Sequence, residues 1–273
     1  MSTPVVTERD AAGGMEVLST ASEDPELLLV LTDEEIVALA GRDALSLVGS
    51  PYLDQDGLDE SAHAQAALRG LIARGLVITA DEARENEGQT IIGEALDRAV
   101  QLDRPLAGLL MLRSTASAVV SVTRQVSEQT TRLALHVEDG GGVLEEFVSA
   151  DGFHRFSVPT PEAAVERAAM YIDPTRSAGD ETGEAVTASI AELDAGGGEL
   201  AEKLADTRTL SVLTAVSADE AMQVTIFATT ESLFAMDTPS ESDAEGTVRE
   251  LSAAGVRALL AEVLGQGGGT PAS

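Results

Sequence analysis

The sequence contains no cysteine among its 273 residues and only three histidines. Disulfides, zinc sites built from thiolates, thiol redox chemistry and cysteine nucleophiles are therefore excluded. The histidines also lack the H-E-x-x-H spacing with which one helix presents two of them to zinc. We therefore expect no metal site, no cofactor and no catalytic residue, and hence a protein that is not an enzyme.

Basic residues are scarce as well. The 17 Lys and Arg residues stand against 47 Asp and Glu, the net charge is −30, and the single lysine is Lys203. A field of this sign repels DNA, RNA and anionic lipid, so we expect neither a nucleic-acid partner nor a membrane partner. Two interpretations of the charge remain open: an ordinary acidic surface, or a surface complementary to a cationic partner.

Long hydrophobic runs are also missing. The start, MSTPVVTERDAAGGMEV, has neither the basic nor the apolar region of a secretory signal. The longest apolar stretch near it, Leu27 to Leu31, is far shorter than the roughly 20 residues that span a bilayer. We therefore expect a cytoplasmic protein. The polar composition of residues 1–24 and the glycine-rich end at 265–273 predict a flexible leader and a flexible tail.

The chain does contain an imperfect internal duplication, from Leu102 to Asp173 and from Leu204 to Leu264. Each copy is predicted to contain a short apolar strand, a hairpin, a polar turn and a closing amphipathic helix. In order, the segments are RPLAGLLML, TTRLALHVEDGGGVLEEFV and TPEAAVERAAMYI in the first copy, and TRTLSVLTAV, MQVTIFATTESLFAMDT and AAGVRALLAEVL in the second.

The duplication predicts an α+β fold in which pseudo-twofold copies form a central, mainly antiparallel sheet flanked by helices. Copies that folded apart would expose unpaired strand edges, so we expect a single domain over 25–264. Its first half covers 25–173, an acidic linker of turn-forming residues covers 174–184, and its second half covers 185–264. Helices are predicted over Ala185 to Leu193 and Glu199 to Ala205.

The N-terminal third has clear local signals. ELLLVLT predicts a short strand, and Thr32 followed by Glu35 has the spacing of a capping box that begins a helix. Apolar residues at three- and four-residue spacing predict a helix from Glu60 to Arg74, ended by Gly75 and followed by the strand LVIT. A further helix is predicted around Ile91 to Ala99.

Four patterns that could carry chemistry are better explained as structure. Gly140 to Gly142 lacks the G-x-x-x-x-G-K-[ST] context of a phosphate loop and predicts a hairpin turn. Asp54 to Gly57 has the wrong register for a calcium loop. His154 lies near Asp151, but no G-x-S-x-G elbow accompanies them, which argues against a hydrolase triad. His136 alternates with apolar residues and is expected to be an exposed residue of the sheet.

The strongest local pattern is L-x-x-L-x-x-R-G-L-V from Leu68 to Val77, a helix that passes directly into a strand. A winged-helix unit connects its recognition helix to its wing in this way. Arg69 and Arg74 are the basic residues of this helix, and nearby acids outnumber them. A winged-helix transcriptional regulator is therefore the alternative function.

These segments together resemble the EspG family of type VII (ESX) secretion. The resemblance covers roughly residues 27–265 and is carried by ELLLVLT, by L-x-x-L-x-x-R-G-L-V, by D-R-P-L at Asp103 to Leu106 and by D-T-R-T-L at Asp206 to Leu210. It implies a single EspG-like α+β domain with pseudo-twofold halves. It also implies a non-catalytic cytosolic chaperone or adaptor whose partner is a helical secreted client, either PE–PPE-type or WXG100-like. The acidic linker and the extreme charge depart from the family pattern.

The resemblance assigns no binding residue, so the candidates come from residue chemistry. The glycine turn permits close approach of a partner, and aromatic side chains dominate contact energies where they are exposed. For each phenylalanine, a place in the core is the competing interpretation. The partner-binding candidates are Asp139, Gly140, Gly141, Gly142, Phe147, Phe153 and Phe156.

Overall fold

The alternating apolar residues of the two predicted hairpins form the centre of one ten-stranded sheet. This arrangement is seen in a computed structural model, which describes residues 6–79, 100–189, 196, 198–218, 220–237 and 245–267. The α-helices are α1 Glu8–Leu18, α2 Asp33–Ala40, α3 Glu60–Ala73, α4 Arg104–Thr115, α5 Pro161–Ile172, α6 Gly198–Leu204 and α7 Ala253–Gly267, and a 3-10 helix covers Arg42–Leu45. The strands are β1 Leu29–Thr32, β2 Val77–Thr79, β3 Val100–Leu102, β4 Ala118–Val126, β5 Gln129–Val137, β6 Val143–Val148, β7 Phe153–Ser157, β8 Val186–Ser189, β9 Thr209–Ser217, β10 Ala221–Ala228, β11 Leu233–Asp237 and β12 Glu245–Glu250.

The sheet has the predicted pseudo-twofold order, β1-β7-β6-β5-β4-β9-β10-β11-β12-β8, and every neighbouring pair is antiparallel. The first half runs β4 to β7 and closes with α5; the second runs β9 to β12 and closes with α7. The halves join where β4 pairs with β9, from Ala118 opposite Ser217 to Gln125 opposite Leu210. The predicted fold class is confirmed. A separate two-stranded sheet pairs β2 with β3.

The two faces of the sheet are covered differently. On the first, called here the helical face, α5 and α7 pack over the largest hydrophobic cluster, which includes Val120, Leu135, Leu213 and Ile226. On the opposite face, α1 to α4 and the 3-10 helix cover the first half and form a second cluster with β5, β6 and β7. These elements are called here the N-terminal layer. Over the second half, α6 packs against β8, β11 and β12 in a third, smaller cluster.

The segment RPLAGLLML, predicted as a strand, is helix α4, so this prediction was wrong. Asp103 is its N-cap and accepts a hydrogen bond from the Leu106 amide at 2.9 Å, and Pro105 lies in its first turn. A capping carboxylate and an early proline are typical helix-start signals. Apolar residues cover both sides of this helix because it is buried in the N-terminal layer, which hides its helical period.

Residues 1–24, predicted as a flexible leader, contain helix α1, which corrects that prediction. Thr7 and Asp10 form a capping box, and Val17 is buried. A side chain on Gly13 or Gly108 would overlap the backbone of the other helix, so α1 and α4 touch through their glycines. Gly13 and Gly14 lower the helix propensity of this segment, but they permit this close contact.

Other local predictions have mixed outcomes. The capping box at Thr32 and Glu35, the helix α3 and its end at Gly75, with φ of 72°, are confirmed. The predicted helix from Ala185 is wrong at its start, because Val186–Ser189 is strand β8 paired with β12. The predicted helix around Ile91 to Ala99 lies outside the described residues. Helix α7 continues to Gly267, into the predicted tail.

Within the part of the chain that the structure describes, no helix is both long enough and apolar enough to cross a lipid bilayer.

The contact between α1 and α4 gives a direct test of the N-terminal helix. We expect Gly108→Ala to lower the free energy of unfolding by about 1–3 kcal/mol, because the added methyl group forces two backbones apart. Gly70→Ala in α3 is the matched control, since nothing lies within 4 Å of that position and alanine favours a helix. Urea denaturation measures both, and equal stability of the two variants would contradict the contact.

The shared sheet gives a second test. A chain divided after Asp180 separates β4 from β9 and leaves both strands with an unpaired edge. We expect neither fragment alone to show a cooperative thermal transition, and an equimolar mixture to regain one. Two fragments that each unfold cooperatively would show that the halves are independent domains.

Candidate functional site

Asp33 is the first residue of the polar cluster beneath the N-terminal layer. It follows the N-cap Thr32 at the start of α2 and is completely buried. Its Oδ2 accepts hydrogen bonds from the backbone amides of Tyr52 at 2.8 Å and Leu53 at 3.2 Å. Asp33 Oδ1 lies 2.8 Å from Nε2 of His154. Asp33 therefore connects α2, the 50–53 loop and strand β7.

His154 lies on β7 with its ring between two carboxylates. In addition to Asp33, it contacts Glu146 on β6, with 2.6 Å between His154 Nδ1 and Glu146 Oε1. The ring is completely buried and stacks on Phe156. Its partners are thus not the nearby Asp151, whose carboxylate accepts from the Ser149 hydroxyl.

Glu146 lies at the centre of the cluster. Its Oε2 accepts from Arg113 Nε at 2.8 Å and lies 2.8 Å from His136 Nε2, while Arg113 Nη2 donates to Oε1 at 3.1 Å. Arg113 Nη1 also donates to the backbone oxygen of Ala44 in the 3-10 helix, at 2.5 Å. These five side chains are called here the ionic cluster: Asp33, Arg113, His136, Glu146 and His154.

The prediction that His136 is an exposed residue of the sheet was wrong, since only 3% of its surface is exposed. His136 does lie on the opposite face of β5 from its apolar neighbours, as the alternating pattern predicted. That face, however, is covered by the N-terminal layer rather than by water. Sequence reasoning also missed Asp33, Arg113 and Glu146. A signal for Glu146 existed, because it stands between Leu144 and Val148 on one buried face of β6.

The cluster shifts the titration of two members. Burial alone would raise the pKa of Glu146, but the Arg113 guanidinium and the hydrogen bonds from His136 and His154 hold it well below the usual value of 4.5. Burial alone would lower the pKa of His154, but hydrogen bonds to Asp33 and Glu146 raise it above the usual 6.5. Both shifts favour the charged forms.

The ionic cluster has acid and base groups, and the described residues bury all of them. The side chains of Asp33, Glu146 and His154 are 0% exposed, and those of His136 and Arg113 are 4% and 6% exposed. A general acid or base must reach the proton that it transfers. Its geometry therefore supports a structural connection between α2, α4, the 3-10 helix and strands β5 to β7.

The structure does not bring the predicted partner-binding residues together at one site. Gly141, with φ of 80°, lies in the turn between β5 and β6, as predicted for a hairpin, and Gly142 packs against Leu18 of α1. Asp139 and Gly140 are exposed in that turn. Phe153 is 38% exposed and is the first residue of β7, where it pairs with Thr32 of β1.

One of the three predicted aromatic anchors, Phe156, lies in the interior, which corrects its assignment as a surface contact. Phe156 is 0% exposed and belongs to the cluster under the N-terminal layer. Phe147 is half-buried, packs on the helical face and meets the ring of Tyr171 edge-on at 6.1 Å. The competing interpretation, a place in the core, holds for Phe156, whereas the assignment of half-buried Phe147 stays a prediction.

A partly exposed surface lies on the face of the sheet opposite α5 and α7. Among the described residues, no helix packs over β9 there, between the N-terminal layer and α6. Leu210, Val212 and Val216 of β9 are half-buried and belong to none of the three hydrophobic clusters. This surface is called here the trough. Its residues are Leu210, Val212, Thr214 and Val216 of β9.

The helix–strand unit that suggested a winged helix is present as α3, β2 and β3. Arg74, one of its two basic residues, donates to Glu35 of α2 at 2.5 Å. That ion pair packs α3 against α2, so Arg74 is not free to contact a phosphate. The unit is part of the N-terminal layer.

Comparison with known proteins adds a likeness of fold. No protein-family model matches the chain, and no curated protein matches it by sequence. Its fold is similar to that of the Mycobacterium tuberculosis type VII secretion system chaperone EspG5, solved in complex with the PE25–PPE41 dimer. The two are 11% identical, with a TM-score of 0.50, and the match covers 86% of this chain and 95% of the other.

The ionic cluster makes a quantitative prediction. Arg113→Met leaves two buried carboxylates with one cation, and losing one partner of a buried pair costs about 3–5 kcal/mol. Arg257→Met is the matched control, because its ion pair with Glu166 is about half exposed, and such pairs contribute about 0–1 kcal/mol. Chemical denaturation measures both. A loss below about 1 kcal/mol for Arg113→Met would contradict the electrostatic role assigned to Glu146.

Proposed function

We propose that this protein is a non-catalytic, cytosolic chaperone or adaptor that binds a mostly helical client of a type VII secretion system, either PE–PPE-type or WXG100-like. The observation that carries the proposal is the likeness of fold to EspG5 over nearly the whole of both chains. The buried ionic cluster supports the non-catalytic part, because its acid and base groups do not reach solvent.

The trough is the surface that we assign to the client. From β4, at the edge of the N-terminal layer, to β10, whose Phe227 packs beneath α6, there are two strand spacings, or about 10 Å. An α-helix with its side chains is about 10 Å across, so the strip that the described residues leave uncovered is about one helix wide. Half-buried valine and leucine side chains supply an apolar floor, and apolar residues dominate the centre of protein interfaces.

The negative charge of the molecule fits this assignment. A net charge of −30 keeps a carrier of an aggregation-prone client apart from other copies and from nucleic acid. We assign the affinity to apolar contact in the trough rather than to attraction between opposite charges. This predicts complexes that persist when salt is raised, since screening weakens exposed charge pairs but not apolar burial.

A change within the trough tests the assignment. We expect Val212→Asp to reduce client capture at least tenfold, because it places a charge on the apolar floor, while the thermal midpoint changes little at this half-exposed position. Val126→Asp is the matched control: that valine is 42% exposed in β4 and lies on the helical face. The assay is co-expression with each small helical protein encoded nearby, followed by size-exclusion chromatography.

The predicted hairpin turn is a separate candidate surface, and Gly140→Glu tests it. Gly140 has open space around it and no positive φ, so the variant should fold normally. If capture is lost in Gly140→Glu and kept in Val212→Asp, the client lies on the β5–β6 turn instead of the trough. Loss in both control and trough variants would indicate general misfolding.

The alternative is a winged-helix regulator, favoured only by the order of α3, β2 and β3. It predicts binding to duplex DNA that weakens steeply as salt rises. If no helical neighbour co-elutes and the purified protein shifts a promoter fragment at physiological salt, the chaperone proposal is wrong and the regulator replaces it.

A further inference from the structure

Both ring nitrogens of His154 face oxygens that can only accept hydrogen bonds. Nδ1 lies 2.6 Å from Glu146 Oε1, and Nε2 lies 2.8 Å from Asp33 Oδ1. A neutral imidazole carries one N–H, so it would direct a lone pair at one of these oxygens. Two protons on the ring satisfy both contacts. With both carboxylates ionised, only the imidazolium form of His154 satisfies both contacts.

The charges around the ring lead to the same form. Asp33 on α2 and Glu146 on β6 supply two negative charges, and Arg113 on α4 supplies one positive charge. His136 on β5 contacts Glu146 through Nε2, and its buried Nδ1 has no hydrogen-bond partner among the described residues. Phe156 stacks against His154 and carries no charge. An imidazolium at His154 balances the cluster, and buried charge needs such a balance.

The position of His154 gives this proton a structural role. His154 lies on strand β7 of the sheet. Its partner Asp33 is 121 residues away in sequence, begins α2 and accepts hydrogen bonds from the amides of Tyr52 and Leu53. Arg113 connects the same cluster to Ala44 in the 3-10 helix. The cluster thus joins the N-terminal layer to the sheet through interactions that depend on charge.

We infer that the proton held by His154 fastens the N-terminal layer to the sheet, so that alkaline conditions which remove this proton release α2 and the 50–53 loop while the central sheet stays folded. This makes the layer a conformational device controlled by protonation. The inference rests on the ionic cluster alone and does not depend on the client.

The direction of the pH effect follows from the shifts. The pKa of His154 is raised above 6.5, so its stabilisation is complete below 6.5 and is lost as pH rises through the folded-state pKa. The pKa of Glu146 is lowered below 4.5, so its stabilisation is complete above 4.5 and is lost as pH falls through the folded-state pKa. The cluster is strongest between these two limits.

Glu138 produces a second effect with the same direction. Burial and the neighbouring Asp139 raise its pKa to about 7, so its ionisation also costs stability as pH rises from 4.5 through about 7. It lies beyond the end of β5, and its carboxylate makes no hydrogen bond to the ionic cluster within the described residues. Glu138→Gln removes this effect and is the proper background for the test.

The first measurement is an NMR titration of the histidine ring signals in Glu138→Gln protein. The reference is the same His154 ring in the chain unfolded by urea. We expect the folded ring to keep both protons at a pH where the unfolded ring has lost one, with both nitrogens showing protonated chemical shifts. A folded His154 that loses its proton at the same pH as the unfolded chain, or lower, overturns the inference.

The second measurement is amide hydrogen exchange across the same pH range, corrected for the intrinsic pH dependence of exchange. In Glu138→Gln protein, protection in α2 and residues 50–53 should fall tenfold or more as His154 deprotonates, while β9 and β10 stay protected. The double variant Glu138→Gln/His154→Gln should show weak protection of the layer that does not vary with pH. Equal pH dependence in both proteins, or simultaneous loss of protection in β9 and β10, contradicts the device. If the double variant does not fold, the ring titration decides.

Discussion

The buried carboxylate of Glu146 is the constraint on which the first half of the molecule depends. An ionised carboxylate without access to water needs a counter-charge and hydrogen-bond donors, or burial would neutralise it. Arg113, His136 and His154 supply these from three different elements. The N-terminal layer therefore has a fixed position, because sliding it would leave a charge unpaired. Apolar packing alone, which has no direction, would permit other positions.

The two halves of the duplication have side chains of opposite character at equivalent positions of the sheet: charged in the first half and apolar in the second. His136 pairs with Val119 and Leu144, and Phe227 pairs with Leu210 and Phe234 in the equivalent register of the second half. Met236 on β11 lies near the position that is equivalent to Glu146. It packs with Phe227 and Phe234 beneath α6. One copy thus carries an ionic cluster that supports a large layer, and the other carries an apolar cluster beneath a short helix. This difference leaves the trough between them.

Features that depend on a few neighbouring residues could be predicted from the sequence, whereas features that depend on tertiary contacts were missed. Thr32 and Glu35, the hairpin strands and the glycine turn follow rules that act over a few residues, and the structure contains all of them. Helix α1 was missed because the glycines that weaken it locally are needed for its contact with α4. The ionic cluster was missed because Asp33 and His154 are 121 residues apart, and only the sheet order brings them together.

In a chaperone of the proposed kind, natural selection acts on the client-binding surface rather than on a reactive centre. A scaffold that presents a helix-sized trough needs two fixed walls, and the side chains on the floor need only be apolar and partly exposed. Many sequences satisfy those conditions, so a shared fold at 11% identity is compatible with different clients. In this chain the N-terminal layer, which is the wall next to β4, is held by buried charge pairs as well as by apolar packing, whereas α6, the other wall, is held by apolar contacts. Agents that weaken apolar burial should therefore act on both walls, whereas pH should act on the N-terminal layer alone.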